Sequence, residues 1–160
     1  MIPINVNMKI SLEMLKKLRE ATSAGVSDCR QALEDTDGDF DHAKKLLNRR
    51  SIEKAAKKVG KYTSQGIIES YIHANGKVGV LLELRCETDF VARTEAFKAL
   101  AHELALQVAA MKPKAVKELL AEDYIRDSTV KISDLIKQTV AKVGENITVA
   151  RFICYQFGAG

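Results

Sequence analysis

The chain holds few of the residues from which covalently built sites are made. Its three cysteines, Cys29, Cys86 and Cys154, are odd in number, widely spaced and outside any CxxC pairing. That argues against a disulfide framework or a zinc site, and each is expected to pack as a small hydrophobe. His42, His73 and His102 are equally scattered, so no metal site and no cofactor is expected. No apolar run approaches the ~18 residues that a membrane span needs. The opening MIPINVNMK lacks the basic region, apolar core and cleavage site of a secretory leader. A cytoplasmic location with no membrane partner is therefore expected. The phosphate-binding patterns GxxxxGKS/T and GxGxxG are missing, as is the GxSxG nucleophile elbow. Cys86 and His102 can be drawn as a thiol and its base, but Cys86 falls on the apolar alternation of a strand. No catalytic residue is assigned, and the chain is not expected to be an enzyme.

What is present is an ordinary balance, 46% hydrophobic and 29% charged over 160 residues. Such a length builds one sizeable domain or two small ones. The net charge of +4 is modest. Much of the basic excess lies in Lys44-Lys45, Arg49-Arg50, Lys54, Lys57-Lys58 and Lys61. Such a run is either a solvated helix face or a contact surface for nucleic acid or an acidic protein. Phe and Tyr do not interleave with these lysines, which counts against nucleic acid.

The pattern along the chain changes once. Leu12, Leu15 and Leu18 recur at helical spacing behind Ser11, a candidate N-cap, and Ser23-Ala24-Gly25 breaks that helix. Val26, Cys29, Ala32 and Leu33 mark a second apolar stripe, closed by Asp37-Gly38-Asp39. Phe40, Ala43, Leu46 and Leu47 mark a third. Ile52, Ala55, Ala56 and Val59 continue as a basic helix stopped at Gly60. After Tyr62-Thr63-Ser64, GIIESYIHANGKVGVLLELRC reads as a β-hairpin about Asn75-Gly76. Val78, Val80, Leu82, Leu84 and Cys86 share one face of its second strand. A long helix carries Phe97, Leu100, Ala101, Leu104, Ala105 and Val108, and ends near Met111, before Pro113. The stretch 112–127 fits no single pattern. A further helix carries Ile132, Leu135, Ile136, Val140 and Val143 up to Gly144, and TVARFICYQF closes the chain as a third strand. The fold class is α+β: a three-helix, ubiquitin-associated-like module over 1–62 with its basic helix, then a three-stranded antiparallel sheet packed with helices over 63–160.

Between the second strand and the long helix stands Glu87-Thr88-Asp89-Phe90-Val91-Ala92-Arg93, at a junction where surface loops carry function. By its residues alone, Asp89 caps the next helix and Phe90 folds beneath it, or Phe90 is exposed for contact. The string CETDFVAR resembles the signature of the elongation factor Ts family. TSAGVSDCRQALEDTDGDFDHAKKLL followed by KAAKKVGK, and VGENITVARFICYQFGAG at the end, resemble that family too, in the family's order. The likeness spans roughly residues 9–111 and 131–160. The chain departs from the family pattern where Val26-Ser27 replaces a bulkier pair. It is also short between Met111 and Val130, and lacks the second half and coiled coil of longer members, as short-form members do.

The resemblance implies a guanine-nucleotide exchange factor that binds elongation factor Tu in its GDP state, displaces magnesium and promotes GDP release. Thr88, Asp89, Phe90 and Val91 are then the magnesium-dislocating loop. Val26, Ser27, Arg30, Lys58, Val143 and Gly144 match partner-binding positions. The helical module is expected to act as a docking arm. The last strand, apolar on both faces, is expected to leave a sheet edge open for homodimer formation. Two other readings stand beside this one: a nucleic-acid-binding module using the basic helix, and an adaptor of the ubiquitin-associated type. In the exchange-factor reading nucleic acid is not a partner.

Overall fold

The computed structural model describes residues 10–159, so the MIPINVNMK segment and the last glycine of the closing motif lie outside the described residues. The chain divides into two compact units between residues 53 and 54.

The first unit is built of three helices, α1 (Leu12–Thr22), α2 (Val26–Asp35) and most of α3 (Phe40–Ala56). Ser11 caps α1, its hydroxyl accepting from the Met14 amide at 3.1 Å. Ser23 takes the left-handed conformation that ends the helix, with its N–H on the Arg19 carbonyl. Asp39 caps α3 through the His42 amide at 2.9 Å, and that hydrogen bond holds its carboxyl below the ordinary range. Leu15, Leu18, Cys29, Ala32, Leu33, Ala43 and Leu47 form the core, with Phe40 and Leu46 packed at its margin. Leu12 and Val26, expected on the core stripes, are instead exposed, at 80% and 44%. Both stand in the first turn of their helices, where the stripe has not yet reached the core.

The third and fourth sequence patterns are one helix. α3 runs from Phe40 to Ala56 without a break, and a turn over 57–60 follows it in place of further helix, leaving Val59 exposed. Ala55 is buried in the core of the second unit, which therefore begins before the end of the helix.

In the second unit, β1 (Gln65–Ile72) and β2 (Val78–Cys86) pair antiparallel, and β5 (Ile147–Gln156) pairs antiparallel on the other side of β2. The order β1-β2-β5 makes β2 central and β5 an edge. The hairpin loop covers 73–77, closed by the His73 amide on the Val78 carbonyl and the Gly76 amide on the His73 carbonyl. Asn75 caps the loop through its side chain, which accepts from the Lys77 amide at 3.1 Å. A register shift between Glu83 and Leu84 sets Ala150 out of the ladder and keeps both halves of β5 facing the core correctly.

Val80, Leu82, Leu84 and Cys86 are buried on one face of β2. The long helix α5 (Glu95–Met111) covers that face with Phe97, Leu100, Ala101, Leu104, Ala105 and Val108. Preceding α5 is α4 (Asp89–Ala92), a single turn. The helix α7 (Ile132–Val143) adds Ile132, Ile136 and Val140, and Gly144 ends it at φ 78°, a conformation glycine adopts without steric cost. The segment that fits no sequence pattern becomes a short helix α6 (Val116–Ala121) and a two-stranded hairpin of β3 (Asp123–Tyr124) and β4 (Asp127–Lys131). Leu119 of α6 enters the core. Fully buried Gln107 on α5 pins the hairpin. Its amide donates to Glu122 at 3.1 Å and to the Asp123 carbonyl at 3.0 Å, and its oxygen accepts from the Ile125 amide at 3.0 Å. The fold is α+β: helices first, then a three-stranded antiparallel sheet covered on one face by helices.

Candidate functional site

The junction loop is held by what surrounds it. Thr88 is extended (φ −125°, ψ 153°) and caps α4, its hydroxyl accepting from the Val91 amide at 3.4 Å. Thr94 caps α5 in the same way, from the Phe97 amide at 3.3 Å. Asp89 therefore caps neither helix; it forms an exposed ion pair with Arg93 at 2.6 Å, one turn away on the same face. Phe90 does not fold beneath the helix. It is 78% exposed, whereas Val91 beside it is 4% exposed and belongs to the core with Ala92. Of the four residues expected to reach a partner together, Thr88, Asp89 and Phe90 lie at the surface and Val91 is the loop's anchor.

Cys86, just upstream, is a donor within this arrangement, its thiol reaching the Thr88 carbonyl at 3.1 Å. Burial, reinforced by the negative charge of Glu145, pushes its pKa up to about 11. A thiol so far from ionising is no nucleophile at neutral pH. His102 is not its base: it lies against the Tyr71 ring, with Nδ1 3.7 Å from Glu69. Among the described residues no group of three or more His, Cys, Asp or Glu could hold a metal ion. No described helix is long and apolar enough to cross a membrane.

Glu87, named only as the head of the junction stretch, and Glu145 and Asn146, which sequence reasoning did not single out, join the loop to the turn after α7. Glu145 accepts from the Thr88 amide at 3.0 Å and from its hydroxyl at 2.8 Å. Glu87 accepts from the Asn146 amide at 2.8 Å, and the Asn146 side chain donates to the Lys61 carbonyl at 2.9 Å. Nothing local signals these bonds, because their partners lie far apart in sequence. The hints were that Glu145 and Asn146 directly follow Val143-Gly144 and lie inside the closing motif VGENITVARFICYQFGAG.

That turn also borders a shallow cleft of about 300 Å³ lined by Lys54, Lys57, Lys58, Val140, Ala141 and Gly144. Two of the expected partner-binding residues, Lys58 and Gly144, thus share one cleft, with lysines around a small apolar floor. Val143 is half-buried against the core. In the first unit, Val26, Ser27 and Arg30 are all exposed on α2 at positions that fall on one side of a helix.

The family sequence model for Elongation factor TS matches residues 87–159, the span from the junction loop to β5. Elongation factor Ts of Thermotoga sp. (strain RQ2) is 41% identical over an alignment covering 96% of this chain and 98% of that protein. The protein of the same name from Fervidobacterium nodosum is 41% identical, over 94% of this chain and 100% of its own length. That from Carboxydothermus hydrogenoformans is 34% identical, over 94% and 90%. These alignments run over 196 positions, more than the 160 residues here, so the relatives carry segments that this chain lacks. With a loop signature inside the matched span and near full-length likeness to several bacterial proteins of one name, the chain belongs to the elongation factor Ts family, and its role is that of a translation elongation factor.

Proposed function

We propose that the chain binds elongation factor Tu in its GDP state, displaces the magnesium ion from the nucleotide site and so promotes GDP release. The observation that carries this reading is Phe90, a large apolar side chain left 78% exposed on a loop whose next residue is locked in the core. A rigidly mounted, exposed aromatic is suited to wedge between packed elements of a partner, and packed elements answer a wedge by switching arrangement. Magnesium demands near-ideal octahedral geometry, so a small displacement weakens the nucleotide it bridges. Asp89 and Phe90 are the contacting residues of the loop, Thr88 its cap and Val91 its anchor. Lys58, Val143 and Gly144, and Val26, Ser27 and Arg30 on α2, supply the grip. No bond is made or broken by the protein in such a cycle.

Linkage makes the effect reciprocal: the partner's GDP weakens this protein's hold as much as this protein weakens GDP. Release of a fluorescent GDP analogue from elongation factor Tu tests the reading. The chain should accelerate release in a concentration-dependent, saturable manner, and an unchanged rate overturns the proposal. Binding to RNA with steep salt dependence and without any GTPase would favour the nucleic-acid reading instead. Against it, the basic run is partly neutralised, with Arg50 paired to Asp35 and Arg49 to Glu53.

The reading includes a homodimer. β5 is an edge strand, and the sheet face turned away from the helices exposes Ile68, Ile72, Leu81, Ile153 and Tyr155. An open edge beside an apolar face favours pairing with a second copy. Light scattering should give twice the chain mass, and a monomer at high concentration removes this part.

A further inference from the structure

The loop proposed to act on the partner is one helical turn long, and a single turn has little stability of its own. Its C-terminal half is fixed by Val91 and Ala92 in the core. At its other end Thr88 is exposed; its carbonyl is held locally by the Cys86 thiol and the Ala92 amide, while its amide and hydroxyl are held from outside the loop. One carboxylate, that of Glu145, takes both protons Thr88 can give, from the amide at 3.0 Å and the hydroxyl at 2.8 Å. A planar acceptor engaged twice fixes backbone and side chain together, and an ionised acceptor makes such bonds stronger. With its proton directed to Glu145, the Thr88 hydroxyl is left to accept from the Val91 amide, the bond that starts the turn. A reciprocal bond from the Asn146 amide to Glu87 closes the clasp.

We propose that Glu145 is a positioning residue for nucleotide exchange, holding Asp89 and Phe90 through Thr88 at the angle at which they meet the partner. This deepens the exchange reading and rests on it. The two side chains lie between a core anchor at Val91 and a clasp at Thr88. Freeing the clasp lets them swing while the core stays intact. The bonds lie at the surface, where a protein hydrogen bond largely replaces one to water, so their loss shows in rate rather than in stability.

GDP release from elongation factor Tu, measured over a range of factor concentrations with the full chain, separates maximal rate from half-saturating concentration. Glu145→Ala should lower the maximal rate about ten- to a hundredfold, the cost of a misplacement on the order of 1 Å. Half-saturation and melting temperature should stay near parental values, because the grip and the core are untouched. Glu145→Gln keeps an oxygen for the Thr88 amide but puts a donor where the Thr88 hydroxyl needs an acceptor, and should fall between the parent and the alanine variant. Glu145→Asp keeps the charge but withdraws it by one methylene, and should be slow; it carries the test if the alanine variant melts early. Parental maximal rates in both the Ala and Asp variants overturn the proposal. So does a Gln variant at the parental rate beside an equally fast Asp variant, since neither keeps both acceptor oxygens in place. If the parental chain does not accelerate release at all, the exchange reading itself falls, an outcome distinct from a failure of the clasp alone.

Discussion

Phe90 and Phe97 flank the same short stretch, yet one is 78% exposed and the other fully buried. The difference comes from caps. Thr88 and Thr94 each start a helix, and the turn between them points Val91 inward and Phe90 outward. The two phenylalanines should therefore respond oppositely to truncation. Phe97→Ala removes a core ring and should cost about 3–5 kcal/mol. Phe90→Ala should cost less than about 1 kcal/mol, as surface changes do, yet slow GDP release clearly. Thermal melts and release assays on the two variants check this. An early-melting Phe90→Ala protein, or one that exchanges at the parental rate, would sink the wedge assignment.

Cys86 gives a pH signature at the same scale. Its pKa in the fold is about 11 against an ordinary 9.0, because burial disfavours the thiolate. The folded state therefore holds the proton more tightly than the unfolded state. The stability this provides is complete below pH 9 and is lost as pH rises through 9 towards 11, at up to ~1.4 kcal/mol per pH unit. Urea unfolding at pH 8 and pH 10.5 should show a larger fall in stability for the parent than for Cys86→Ala. Equal falls would mean that the thiol is not the titrating group. Native Cys86 should also resist alkylation at pH 8.

At the scale of elements, legibility followed the range of the forces. The two long helices of the second unit and the hairpin are written in local periodicity, and the structure places them where those patterns lie. The segment 112–127 is not, because a six-residue helix and a two-residue strand are held by Gln107 and Leu119, contacts that no local pattern encodes. The candidate loop was visible as a motif, whereas its clasp through Glu87, Glu145 and Asn146 was not, for the same reason. Gly66 is a further element the sequence did not announce. Its φ is +157°, and a Cβ there would lie 2.0 Å from the Leu84 carbonyl oxygen and 2.8 Å from the Arg85 Cα. Those atoms belong to the paired backbone of β2 and cannot move without opening the ladder. Gly66→Ala should therefore cost at least about 2 kcal/mol, combining an unfavourable backbone region with a clash. Circular dichroism melts would register it, and a Tm within a degree of the parent would show that the strand yields freely at this point.

For the whole molecule, the two cores predict a division of labour. Leu15, Leu18 and Leu33 need nothing beyond residue 53 to be buried among their own neighbours, and Leu82, Leu84, Phe97 and Leu104 form a core that begins with Ala55. A fragment of residues 54–160 should fold and keep its β-signature in circular dichroism. A cut at 62 removes Ala55 from that core and should give a less stable fragment. The loop and its clasp lie wholly within 54–160, whereas Val26, Ser27 and Arg30 lie outside it. If the helical unit supplies grip and the loop supplies the wedge, the fragment should bind elongation factor Tu at least about tenfold more weakly, a loss of ~1.4 kcal/mol or more. At saturating fragment, the rate of GDP release should nevertheless approach that of the full chain. Affinity and maximal rate are separable because an interaction equally strong before and during release affects only the former. Titration and release assays on the one fragment decide between three outcomes. Weak binding with a preserved maximal rate bears out the division. Unchanged affinity means that α2 is not the grip. Slow release at saturation means that the helical unit does more than hold the partner, and that the wedge works only when both units engage it.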